Sequence, residues 1–367
     1  MQSSQGVLHV VTSLDFGGVE SHMQIIANHA CDSAFEHSFV AIAGGGATAL
    51  TLQKSRASVD CLACSAKIPS FKAFWALFKY IRSFKPAVIH CHGSEANFHG
   101  LLAGRLAGVP VCVGEEIGIP QQSSTAKRVF SYVFKQADAV IGISDAVSRW
   151  LEQHNGLAKN KSVRLYNPVQ FSALRKTLPA KRQSIRIGFV GRLEEVKNPL
   201  ALVQAVHALR EEFADLELWL IGDGSQRPQI ERYIAQHQLE AQVSVCGFQS
   251  EPDRLLVECD LYVQPSLSEG FGLALCEAMG VELPVLATAV GGVPEIIRQD
   301  QTGWIIQESS SEALEKALRE ILALPIEQLQ QMGRAAKESV TERFTPSIYL
   351  TNLDALYQRL LRKRGRA

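Results

Sequence analysis

Short apolar runs alternate with helical patterns along almost the whole chain, and the alternation happens twice. The first series of runs is Leu8–Val11, Ser38–Ile42, Val59–Leu62, Ala87–His90, Val111–Val113 and Ala139–Ile143. Between them lie segments with helical spacing, such as Val19–Ala30, Phe71–Phe84, Glu95–Ala107 and Ala126–Ala137. Strands that are apolar throughout need cover on both faces, and intervening helices supply it, which implies a parallel sheet. From Asn167 to Ser184 the pattern stops: Pro168, Pro179 and the Lys181-Arg182 pair break it, which reads as a linker. A second series follows with Ile185–Val190, Leu216–Ile221, Val243–Gly247, Leu261–Gln264, Val285–Ala287 and Trp304–Ile306. Its helical patterns include Pro199–Phe213, Pro228–Gln238, Leu273–Val281 and Glu312–Leu324, and Pro346–Arg362 comes after the second sheet is complete.

The reading is therefore an α/β chain of two Rossmann-like domains with parallel sheets, facing each other across a cleft. The expected boundaries are 1–168, a linker at 169–184, 185–345, and a C-terminal helix and basic tail at 346–367 that crosses back. A chain of 367 residues is long enough for two domains at ~100–200 residues each.

Composition narrows the function classes. Hydrophobic residues at 46% and charged residues at 20% exclude a disordered chain. No apolar run reaches the ~18 residues of a membrane span, and the first ten residues lack a basic stretch followed by an apolar one. Eight dispersed cysteines read as reduced thiols. The expected location is the cytoplasm, including the inner face of the membrane. Up to Leu178 there are 17 Lys and Arg against 11 Asp and Glu; beyond it, 20 against 26. That asymmetry suggests different partners for the two halves, but it is too modest for a nucleic-acid module.

Ligands of open parallel sheets sit beyond the carboxyl ends of the strands, so the loops there carry the chemistry. The most specific loop is Pro265–Glu277, with Glu269 before a helix that opens at about Gly272, and Glu277 eight residues on, inside it. Gly270 and Gly272 let backbone approach a ligand, and the free N–H groups at the helix start favour phosphate. Gly191-Arg-Leu-Glu-Glu-Val-Lys197 follows another strand and sets Arg192 and Lys197, a fork and a point charge, where a diphosphate would lie. Gly222-Asp-Gly224 follows the next strand. In the first domain Gly17-Gly18-Val-Glu20 opens a helix after the first strand, a second backbone phosphate cradle. Neither this loop nor Gly44-Gly45-Gly46 has the G-x-G-x-x-G spacing of a redox dinucleotide site.

These four loops together resemble the family 4 glycosyltransferases, retaining enzymes of the GT-B fold. The likeness spans nearly the whole chain, and its specific part is the E-x7-E signature from Glu269 to Glu277. It implies a nucleotide-sugar donor, a UDP-sugar by family frequency, as co-substrate, with no other cofactor. Arg192 and Lys197 would hold the diphosphate and balance its charge as the sugar leaves. Glu277 would accept ribose hydroxyls, Glu269 would contact the transferred sugar, and the backbone from Gly270 through Phe271 and Gly272 to Leu273 would hold sugar and phosphates. Gly17, Gly18 and Gly222 would line the donor, and Gly247-Phe248 the base. The acceptor implied is a glycan or a lipid-linked molecule of cell-surface polysaccharide or lipopolysaccharide synthesis. Where the family has a His near the donor sugar, this chain has Glu116, expected to accept a sugar hydroxyl or to stabilise charge on the anomeric carbon; Glu115 and His92 are expected at the acceptor. The chain has no D-x-D pair to hold a divalent ion on the diphosphate, so no metal site is expected. Two other readings share the architecture: an epimerase or phosphorylase, and a non-catalytic sugar-nucleotide binding protein.

Three further signals are weaker. Cys61-Leu-Ala-Cys64 has no second pair to complete a zinc site. His90-Cys-His92, with His99 beyond, reads as structural or cleft-lining rather than metal-binding. Phe71, Phe74, Trp75, Phe78 and Ile81 form an apolar stripe amid Lys67, Lys72, Lys79, Arg82 and Lys85. It reads as a core-facing face with a basic flank; the alternative is a peripheral membrane contact.

Overall fold

The computed structural model describes residues 5–15, 17–55, 57–174 and 184–365. Pro179, Lys181 and Arg182 of the expected linker lie outside the described residues. The chain divides into two compact units, Met1–Pro168 with Phe344–Ala367, and Val169–Arg343.

The first unit holds seven parallel strands: β1 (Gln5–Val11), β2 (Phe35–Ala41), β3 (Ser58–Cys61), β4 (Val88–His92), β5 (Val111–Glu116), β6 (Ala139–Gly142) and β7 (Ser162–Arg164). Their order is β3-β2-β1-β4-β5-β6-β7, so the direction of winding reverses between β1 and β4. Val7 pairs with Val88 there, and His9 with His90. The second unit holds β8 (Ile185–Val190), β9 (Leu216–Ile221), β10 (Val243–Gly247), β11 (Leu261–Gln264), β12 (Val285–Thr288) and β13 (Gly303–Ile306). Their order is β10-β9-β8-β11-β12-β13, all parallel, with the reversal between β8 and β11. Each unit is thus a doubly wound sheet whose ligand crevice is expected at that reversal.

Apolar runs became strands because both faces are covered. In the second unit Ile187, Phe189, Leu218, Leu220, Leu261 and Val263 pack with Leu202, Val206 and Leu318 from the helices. In the first unit the cover includes the C-terminal helix Pro346–Arg364, whose Tyr349, Leu350, Leu353 and Tyr357 join Val7, Val88 and Val111 in one core. The sequence reading ended two strands early: β4 runs on to His92 and β5 to Glu116, where polar residues at the strand ends hid their continuation. It also missed β7 and the helices Ala47–Lys54, Asp145–Asn155 and Ile326–Thr341.

The helix Phe71–Phe84 begins at Ser70, whose hydroxyl accepts the Ala73 N–H. Its buried face is Ala73, Leu77 and Ile81, offset from the expected stripe. Phe71 and Trp75 point outward, 78% and 51% exposed, so that part of the core-facing reading is corrected. No described helix is long and apolar enough to cross a membrane.

Candidate functional site

In the second unit the loops after β8, β9, β10 and β11 gather at the carboxyl ends of adjacent strands. The β8 loop ends in a single turn, Glu195–Lys197, and Lys197 Nζ reaches Glu269 Oε2 at 2.5 Å across the β8–β11 reversal. Glu269 Oε2 also accepts from Gln264 Nε2 at 3.3 Å, and Gln264 Oε1 accepts from the buried Tyr262 hydroxyl at 3.2 Å. The two loops are tied through the backbone as well, Leu267 N–H donating to Val196 O at 2.8 Å. Arg192, on the same loop as Lys197, is exposed.

Close backbone packing explains the glycines. A Cβ on Gly222 would stand 1.9 Å from Gly191 O, and Gly222 N–H donates to Gly247 O at 2.9 Å. Gly291, at φ +53°, passes so near Glu269 O that a Cβ would fall 1.5 Å from it, which holds the Glu269 loop from behind. Gly272, at φ +116°, makes the turn into the helix Leu273–Gly280, a conformation that L side chains rarely adopt. That helix directs its first N–H groups toward the Glu269 loop and carries Glu277 on its second turn. Gly270 and Leu273 are partly exposed, Phe248 is largely exposed, and Phe271 is buried, so its side chain packs rather than faces a ligand.

Glu277 is partly exposed, and among the described residues nothing hydrogen-bonds its carboxylate. Loss of water, with Asp253 adding repulsion, pushes its carboxyl up to about 7. A carboxylate held this way gains from donors brought by a ligand, such as a pair of hydroxyls.

The remaining expected residues lie in the first unit, again at strand carboxyl ends. Gly17 precedes the helix Gly18–Asn28, and both Gly17 and Gly18 are exposed; Ser13 Oγ donates to Glu20 Oε1 at 3.3 Å. Glu115 and Glu116 end β5 and project to opposite sides, as successive strand residues do. Glu116 is buried; its own Oε1 accepts the Ile117 N–H at 3.3 Å and Oε2 has no partner among the described residues. Burial, with Glu95 and Glu115 nearby, pushes its carboxyl up to about 8, so at neutral pH it is a neutral acid able to donate as well as accept.

Glu115 and His92, expected at the acceptor, lie in a buried cluster. Both are 1% exposed, and His92 Nδ1 lies 3.0 Å from Glu115 Oε1. His22 Nδ1 stands 3.7 Å from the same oxygen, and His90 Nε2 is 3.4 Å from Oε2. His9 and His37 continue the cluster behind His92. Sequence reasoning noticed His90, His92 and Glu115 but missed His9, His22 and His37. The only available signal was a His or Glu at matching depth in runs that the sheet order makes neighbours.

The comparisons with known proteins cover both units. Residues 16–172 match the family model described as Glycosyltransferase Family 4, and 170–339 match Glycosyl transferases group 1. Among curated relatives, a putative colanic acid biosynthesis glycosyltransferase of Escherichia coli K12 is 26% identical over 292 residues, 77% of this chain and 70% of its own length. A UDP-Gal:α-D-GlcNAc-diphosphoundecaprenol α-1,3-galactosyltransferase of Escherichia coli is 26% identical, over 68% of this chain and 70% of its own. Anabaena HepE, solved with UDP and glucose, superposes with a TM-score of 0.83 at 20% identity, over 96% of this chain and 99% of that one. With two doubly wound parallel-sheet units matched along 16–339, the chain belongs to the family 4 glycosyltransferases of the GT-B fold.

Proposed function

We propose that this chain is a retaining glycosyltransferase that moves a sugar from a UDP-sugar to a glycan or lipid-linked acceptor. The reading rests above all on Lys197 and Glu269, brought to 2.5 Å of each other at the strand reversal of the second unit. With the diphosphate bound, Lys197 turns from Glu269 toward the phosphates and, with Arg192, balances the charge that grows as the glycosidic bond breaks. Glu269 is then released to contact the sugar. Glu277 accepts the ribose hydroxyls, and the helix Leu273–Gly280 presents its N-terminus to sugar and phosphate. The glycines 17 and 18, 222, 247, 270 and 272 line the donor with backbone, and Phe248 stands beside the base. Glu116, neutral in its buried position, hydrogen-bonds the transferred sugar. The paired cations take the place of a divalent ion on the leaving diphosphate, and no other cofactor enters.

Support for a UDP-sugar and a polysaccharide acceptor comes from the relatives: HepE was solved with UDP, and the galactosyltransferase relative is named for UDP-Gal and a diphosphoundecaprenol-linked acceptor. A lipid-linked acceptor suits the outward Phe71 and Trp75 with exposed Lys67, Lys72, Lys79, Arg82 and Lys85 around them, a surface that favours anionic lipid.

The test is a thermal-unfolding panel of UDP-, GDP-, ADP- and CMP-linked sugars, since a ligand of the folded state raises the midpoint by mass action. The UDP-sugars are expected to give the largest rise, and the product formed from an α-linked donor is expected by NMR to be an α-glycoside. A β-linked product would overturn the retaining assignment, and a panel with no rise would overturn the donor assignment.

A further inference from the structure

Three buried histidines of the first unit, His92, His9 and His37, form one continuous chain whose protons can be counted. His92 Nδ1 meets Glu115 Oε1 at 3.0 Å, and His92 Nε2 meets His9 Nδ1 at 2.9 Å. His9 Nε2 meets His37 Nδ1 at 2.8 Å, and His37 Nε2 meets Ser33 Oγ at 2.9 Å. Ser33 Oγ ends the chain at Asp354 Oδ1, 2.8 Å away on the C-terminal helix, whose Oδ2 accepts the Ala34 N–H. These are five contacts between two carboxylates, and each requires one hydrogen. Three neutral imidazoles and one hydroxyl supply four. The chain is short of one positive charge.

A divalent cation at the Glu115 end removes the deficit. If His92 Nδ1 gives its lone pair to a metal, the other four contacts are satisfied in one direction: His92 Nε2–H to His9, His9 Nε2–H to His37, His37 Nε2–H to Ser33, and Ser33 O–H to Asp354. A ligating imidazole commonly donates its second N–H to such an outer partner, which fixes its tautomer. At the site itself the Glu115 carboxylate offsets half of the ion's charge, and the Asp354 carboxylate ends the chain at its other side.

We propose that His22 Nδ1, His92 Nδ1 and Glu115 Oε1 bind a zinc-class divalent cation in the first unit. Ligand atoms of these three buried residues all lie within 4.8 Å of one another. The separations from Glu115 Oε1, 3.0 Å to His92 and 3.7 Å to His22, bracket the ~3.3 Å edge of a tetrahedron with ~2.0 Å bonds. His22 packs edge-on against Tyr349, its Nε2 has no hydrogen-bond partner among the described residues, and it stands outside the proton chain. His90 supports the set from outside, accepting the Tyr357 hydroxyl at Nδ1 (2.8 Å) and turning Nε2–H toward Glu115 Oε2. The other histidine triad, His9, His90 and His92, is a poorer choice, because it excludes the carboxylate that would neutralise half the ion's charge. Two imidazoles and a carboxylate select zinc over magnesium or calcium. The site departs from the expectation of no metal.

The test needs no acceptor. The full chain, stripped with a chelator and shown by circular dichroism to remain folded, is titrated with Zn²⁺, and with Co²⁺ for its visible d–d bands. The expected result is one equivalent bound, a raised unfolding midpoint and the intense bands of a tetrahedral cobalt site. His22→Ala and Glu115→Gln should lose the ion, His9→Phe should bind it about 10–100-fold more weakly, and His99→Ala should bind it normally. Should a variant misfold, the wild-type titration still decides. A folded wild-type protein that takes up neither ion, with ¹⁵N NMR showing one doubly protonated imidazole in the chain at neutral pH, would overturn the proposal. So would full retention of zinc by both His22→Ala and Glu115→Gln.

Discussion

Two carboxyl groups illustrate how position sets protonation. Glu277 is pushed up to about 7 and Glu116 up to about 8, both mainly by loss of water. If the ionised form of Glu277 accepts ribose hydroxyls as proposed, donor KM is expected to fall as pH rises through 7 and to level off above. Stability runs the other way. The folded state keeps this proton to a higher pH than the unfolded chain does, so the contribution of Glu277 to stability declines between about pH 4.5 and 7. Glu277→Gln should therefore raise the unfolding midpoint at pH 8, by the equivalent of ~1–3 kcal/mol, while raising donor KM and flattening its pH dependence. Glu116 gives the complementary expectation. Because the native group is neutral at pH 7, Glu116→Gln should keep most of kcat there, whereas Glu116→Ala should lose about tenfold or more through an unpaired sugar hydroxyl. Steady-state kinetics of the two variants checks this, and a glutamine variant as impaired as the alanine one would show that the carboxyl ionises in the working complex. At this scale the sequence was informative where a motif is local: Glu269 and Glu277 are eight residues apart on one loop and helix. It picked out His90, His92 and Glu115 but not the rest of the histidine cluster, whose members span His9 to Glu115 and meet because β1 lies beside β4 and β4 beside β5.

The elements were legible in proportion to how apolar they are. Runs such as Ile185–Val190 and Leu216–Ile221 match their strands at both ends, because burial on both faces leaves little choice of residue. Strand ends that carry polar residues broke the pattern, as in His90-Cys-His92 and Gly114-Glu115-Glu116. The helix Phe71–Phe84 was misread in phase: Ala73, Leu77 and Ile81 face inward, while the larger Phe71 and Trp75 do not. A double variant, Phe71→Ser with Trp75→Ser, removes no fully buried side chain, only the half-covered Trp75 that packs on Phe74 and Phe78, and should lower stability by no more than about 1–2 kcal/mol. It should also lower co-sedimentation with anionic vesicles several-fold, and unchanged sedimentation would remove the membrane assignment. Among the loops, Gly222→Ala forces Gly191 O aside and should weaken donor binding while the sheet stays folded, which nucleotide titration and circular dichroism separate.

For the whole molecule, the C-terminal helix matters more than its position at the chain end suggests. Tyr349, Leu350, Leu353, Leu356, Tyr357 and Leu360 are all buried in the core of the first unit, and Asp354 holds Ser33 and the Ala34 N–H. At ~1.5–3 kcal/mol for each of six buried side chains, their removal forfeits roughly 9–18 kcal/mol, as much as a typical domain's whole stability. A chain ending before Pro346 is expected to lose the cooperative unfolding of its first unit and to aggregate; soluble, cooperatively folding truncated protein would contradict the packing account. The central claim concerns the two cations of the second unit, and steady-state kinetics of Arg192→Ala, Lys197→Ala and the double variant tests it most directly. If both stabilise charge on the departing diphosphate, each single variant loses about 10²–10³ in kcat with a much smaller rise in donor KM. The two losses should also be less than additive, since they serve one group. A rise in donor KM with kcat intact would reduce them to binding residues, and wild-type kinetics in all three would place the donor site elsewhere.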